Sequence, residues 1–168
     1  MTLPEEILRS RLKNEISSCK LATKAVIDVS DPELTDFPLK IDVTINQLPG
    51  PVLEGGRISY RYSHSFRIII GREYPFEKPL VIWKTPIFHP NIMQPEDGGH
   101  VCTRLLNDWN FNSTLLTFLK GIESLLLAPN GSSPFGTESC TLAAEFFNRS
   151  DLKTMPLAKT VQPRVIRK

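Results

Sequence analysis

No run of about 20 apolar residues occurs in these 168 residues, so no segment reads as membrane-spanning. Charge of one sign is not in excess either. Twenty Lys and Arg against 18 Asp and Glu leave +2, too little for the basic face that marks a nucleic-acid binder. Cysteine is scarce: Cys19, Cys102 and Cys140 lie far apart, with no CxxC pair. His64, His89 and His100 make no zinc spacing with them, so neither a metal nor a disulfide framework is expected. Met1 to Glu6 carry two acids and no basic or apolar stretch, so no secretory leader is expected and the thiols are read as reduced. The reading is a cytoplasmic, globular chain that binds neither membrane nor nucleic acid. Free cysteines are usually small buried hydrophobes, and the question is which of the three is not.

Periodicity places the elements. Pro4 to Lys20 predicts a helix: Pro4 suits the first turn, Glu5 and Glu6 suit the positive end of the dipole, and Leu8, Leu12, Ile16 and Cys19 form one apolar stripe. Cys19 on that stripe reads as core. Lys24 to Val29 is a weaker strand candidate. Leu39 to Gln47 alternates cleanly, and Leu48-Pro49-Gly50-Pro51 is expected to break it. Arg57 to Ile70 and Leu80 to Lys84 complete a meander of four antiparallel strands. Residues 85–112 have no period and hold three prolines and two glycines; a loop of that length in a compact domain is usually functional. Ser113 to Ala128 is a strongly apolar helix capped by Asn112 or Ser113 and ended by Pro129, and Glu138 to Asn148 is a shorter one. The fold class is α+β, helices on one side of a meander. Residues 1–152 read as one domain and 153–168 as a basic, flexible tail.

One ordered series carries the chemistry: Tyr74-Pro75-Phe76-Glu77-Lys78-Pro79, a strand, His89-Pro90-Asn91, Cys102, Trp109, and a helix ending Ser124-Leu125-Leu126-Leu127-Ala128-Pro129-Asn130. Each piece alone is weak. In this order and at this spacing the series resembles the ubiquitin-conjugating enzymes, and the layout from residue 4 to 148 fits that family's fold. The resemblance implies that Cys102 accepts ubiquitin or a ubiquitin-like modifier from an activating enzyme as a thioester. The modifier then passes to a lysine of a substrate protein, with a RING-type ligase. ATP is used by the activating enzyme, so this chain needs no cofactor. A thiolate is the nucleophile, so access matters more than an adjacent base. The alternative reading is a non-catalytic, modifier-binding variant of the same fold; such variants lack the cysteine.

By the same resemblance Asn91 is the second catalytic residue. It either donates to the oxyanion formed when lysine attacks or pins the loop through side-chain to backbone bonds; the sequence leaves both open. His89 reads as a structural histidine bonded to backbone, and Pro90 stiffens the same loop. Ser133 stands where the family often places an acid, which leaves room for a phosphorylation there. Ten residues separate Asn91 from Cys102, a few more than the family norm, and the hairpin segment after Gly50 is longer than usual. Arg9, Arg11 and Lys13 are expected to meet acidic groups of the activating enzyme, with Phe76 and Phe111 as apolar anchors for a ligase.

Overall fold

The computed structural model describes residues 1–101 and 104–149. Cys102, Thr103 and the tail from Ser150, including the expected domain boundary at 152, lie outside the described residues. Helix α1 (Glu5–Ala22) is followed by strands β1 (Val26–Val29), β2 (Leu39–Glu54), β3 (Arg57–Ile70) and β4 (Leu80–Trp83). Helices α2 (Arg104–Asn107), α3 (Leu115–Leu127) and α4 (Glu138–Phe147) complete the order. The strands pair antiparallel in the order β1-β2-β3-β4, the expected meander.

The alternating residues face one way. Leu39, Ile41, Val43 and Ile45 of β2 join Phe66, Ile68 and Ile70 of β3 and Val81 and Trp83 of β4 in one core. Against that face lie the α1 stripe, Leu8, Leu12, Ile16 and Cys19, and the buried side of α3, Leu115, Phe118, Leu119, Ile122 and Leu126. α3 contacts both α1 and β2, which explains why its apolar surface is wider than a single stripe. No helix among the described residues is long and apolar enough to cross a membrane.

Two expectations about element boundaries change. β2 does not stop at the Pro49-Gly50 break but continues to Glu54, with a register shift between Asn46 and Gly50. A bulge accommodates Pro49, which has no N–H for the ladder. It is stabilised from across the sheet. Gln47 takes φ 66°, buried His64 of β3 bonds through Nε2 to Leu48 O at 2.8 Å, and a Cβ at position 50 would overlap the His64 ring. The hairpin then closes through Gly55 and Gly56 at φ 56° and 77°, the positive values that a tight two-residue turn requires. This lengthened hairpin contributes Ile58 and Tyr60 to a second apolar cluster with Phe88, Ala143, Phe146 and Phe147, which seats α4. The second change is at α3. Its N-cap is Thr114, whose hydroxyl accepts from Thr117 N–H at 3.2 Å, whereas the Ser113 hydroxyl accepts from Asn110 N–H.

Candidate active site

Residues 89–92 form a tight turn in which Ile92 pairs with both His89 and Val101. The Asn91 N–H donates to His89 Nδ1 at 3.0 Å, so Nδ1 carries no proton. Nε2 therefore carries it and donates to Leu125 O of α3 at 2.9 Å. Both ring nitrogens are thus committed to backbone.

Burial pushes the His89 imidazole down to about 4 from 6.5; the bond to Leu125 opposes this and the nearby His64 adds slightly to it. Because the folded value lies below the unfolded one, stability is complete above about pH 6.5 and is lost as pH falls toward 4. Over that window His89 contributes a loss of about 3 kcal/mol. Burial lowers His64 as well, with the same sign. Urea unfolding from pH 7 to 4.5 should show this decline, and His89→Asn should show a shallower slope. Equal slopes would mean that His89 is protonated in the fold.

The end of α3 closes on this turn. The Asn91 amide Nδ2 donates to Asn130 O at 3.1 Å and to Ser133 O at 3.2 Å, and the Asn130 N–H donates back to Asn91 Oδ1 at 2.9 Å. Phe135 N–H donates to Pro90 O at 3.0 Å. Pro129 ends the helix so that the 130–135 strap can turn back, and Asn130 stiffens it by accepting from Ser132 N–H and Oγ. From the C-cap of α4, Asn148 Nδ2 donates to Gly131 O. Asn91 is 3% exposed, and both of its amide hydrogens are spent on carbonyls. Ser133 is exposed, with its carbonyl in the clasp and its hydroxyl outside it.

Cys102 lies outside the described residues. Before it in the chain Val101 is bridged to Ile92, and beyond it α2 starts at Arg104. The other two thiols are buried, as expected. Burial, and secondarily the charge of Glu15, pushes Cys19 up to about 11, and burial also raises Cys140.

The five residues expected at partner surfaces separate into two places. The Phe76 and Phe111 rings pack with centroids 5.6 Å apart at a 33° tilt, with Phe111 48% exposed, and the Arg11 guanidinium lies 5.0 Å over the Phe111 ring. Arg11 also donates to Phe111 O, Ser113 O and Glu15 Oε2. Arg9 and Lys13 lie instead against the 31–37 turn. Arg9 donates to Pro32 O at 2.8 Å and Thr35 O at 2.6 Å and covers the Phe37 ring, while exposed Lys13 pairs with Glu33 at 3.3 Å. Arg9 and Arg11 are therefore largely occupied within the chain.

Sequence reasoning missed Glu15. Its Oε1 accepts from Tyr74 OH at 2.9 Å and from the Leu115 N–H at 2.8 Å, joining α1, the Tyr74-Pro75 turn and the start of α3. The Arg11–Glu15 spacing of one helical turn was the available signal.

The family model described as "Ubiquitin-conjugating enzyme" matches residues 11–152. The Nedd8-conjugating enzyme UbcE2M of Drosophila melanogaster is 30% identical over 131 residues, covering 77% of this chain and 65% of that protein. The NEDD8-conjugating enzyme UBC12 of Saccharomyces cerevisiae is 30% identical over 142 residues, covering 82% of this chain and 70% of that one. Among solved structures, that of S. cerevisiae Ubc12 aligns with TM-score 0.67 at 28% identity, covering 91% of this chain and 74% of the other.

Proposed function

This chain belongs to the ubiquitin-conjugating enzyme family, and from that premise we propose that it carries a ubiquitin-like modifier as a thioester on Cys102 and transfers it to lysine. The observation that supports this most is the Asn91 clasp. It ties the turn preceding Cys102 to the end of α3 through three side-chain hydrogen bonds. A rigid frame of that kind suits a thiol that receives and releases an acyl group, and His89 is not its base, since both ring nitrogens are engaged by backbone.

The relatives named as NEDD8-conjugating make a modifier of that class the first candidate and ubiquitin the second. The activating enzyme supplies the ATP chemistry and meets α1. Lys13, whose surface ion pair is weak, is the base free to contact it; Arg9 and Arg11 shape that surface by holding the 31–37 turn and the Phe111 loop. Phe76 and Phe111 form the apolar pair for a RING-type ligase.

The test incubates the chain with ATP and each modifier in turn, with that modifier's own activating enzyme, and resolves the products with and without reductant. A reductant-sensitive adduct with one modifier is expected, strongest with the NEDD8 class. No adduct with either would return the chain to the modifier-binding reading.

A further inference from the structure

We infer that Asp108 is a specificity-determining residue, drawing the ammonium of the incoming lysine into the groove beside Asn91; this rests on the transfer reading above. The groove has a volume of about 630 Å³, and its walls include Asn91, Leu105, Asp108, Ser124, Asn130 and Ser133. Among the described lining residues Asp108 is the only ionisable one; the others offer amides, hydroxyls and aliphatic surface. Asp108 is exposed, and no ion pair among the described residues engages its carboxylate. The strap after Pro129 contributes Ser133 and no acid, so among the described lining residues the negative charge comes from the end of α2.

The position of that charge is held. α2 packs on α3, and the Leu105 side chain lies directly over Gly121, where a Cβ would oblige it to move. Asp108 directly follows α2, and its carbonyl accepts from Asn110 Nδ2 at 3.1 Å. One groove thus holds the clasp on one wall and, among its described lining residues, a single carboxylate on another. An amine that is protonated in solution is attracted there; a neutral or anionic group is not.

A carboxylate close to an ammonium favours the charged form. Asp108 therefore acts on binding and does not activate the amine. In the transfer, the ammonium first loses a proton to solvent. The freed nitrogen lone pair bonds to the thioester carbonyl carbon, and the C–S bond breaks with its electron pair leaving on the Cys102 sulfur as thiolate. The nitrogen sheds a second proton to solvent to give the amide.

The experiment charges the full chain and follows single-turnover discharge to free lysine and, separately, to hydroxylamine, which is uncharged at neutral pH. Charging serves as the internal reference. In Asp108→Asn the lysine concentration for half-maximal discharge should rise about fivefold, the size of a partly screened ion pair, with the limiting rate little changed. Hydroxylamine discharge should not move, Asp108→Glu should restore the lysine value, and added salt should bring the parent protein toward the variant. An unchanged lysine dependence overturns the assignment. Equal loss with both nucleophiles also overturns it, since Asp108 would then act on the bound modifier or on the fold. A parent protein that never charges defeats the transfer reading itself, and this assignment with it.

Discussion

Cys102→Ala should form no reductant-sensitive adduct, and Cys102→Ser should give at most a reductant-resistant oxyester, whereas Cys19→Ala and Cys140→Ala should still charge. The reacting species is a thiolate, so burial that disfavours the charged form also removes reactivity. Cys19 is 2% exposed on the α1 stripe and is pushed up to about 11, first by burial and then by the Glu15 charge. At pH 7 its thiolate fraction is of order 10⁻⁴, set against a few per cent for an ordinary free thiol. Cys140 is fully buried in α4, donates through Sγ to Ile92 O at 3.7 Å, and is also raised, chiefly by burial. Its alanine variant should lose some stability by leaving a small cavity, on the order of 1 kcal/mol, without losing the adduct. Normal thioester formation by Cys102→Ala would end this assignment.

The second large effect is at Asn91, where two roles stood open in the sequence. The geometry favours the pin, because both Nδ2 hydrogens go to carbonyls and Oδ1 accepts from Asn130. Asn91→Ala should therefore slow charging and discharge together, each by up to about 10²-fold, as a displaced active-site segment does. It should also cost about 2 kcal/mol of stability, since partners near the buried side chain lose their bonds. Asn91→Asp should be worse than alanine. Its carboxylate cannot donate, and it would face the two carbonyl oxygens now 3.1 and 3.2 Å from Nδ2 in a site 3% exposed. Rates of thioester formation, set beside single-turnover discharge of purified thioester, separate the two roles. Charging at the parent rate with discharge alone impaired would show that the amide leaves the clasp to stabilise the oxyanion.

Local pattern was enough for most of the fold. The stripe of Leu8, Leu12, Ile16 and Cys19, the alternation of Ile41, Val43 and Ile45, and the apolar width of α3 each report which face must leave water, and that depends on near neighbours in the chain. The motif series from Tyr74 to Asn130 likewise marked the candidate site residues, because the order of residue types is itself a property of the sequence. What each residue touches was not readable in that way. Whether β2 ends at Pro49 or bulges past it depends on His64, a residue of the next strand. Arg9 and Arg11 read as bases turned toward a partner's acidic groups, yet their guanidinium groups reach carbonyls 23 to 102 residues away. Asn91 meets its partners 39 and 42 residues further on, and Asp108 became notable only when α2 was laid on α3 beside them. Periodicity encodes burial, a one-body property of each position. Hydrogen-bond partnership and the charge of a groove are properties of pairs, and those pairs exist only after the chain has closed on itself.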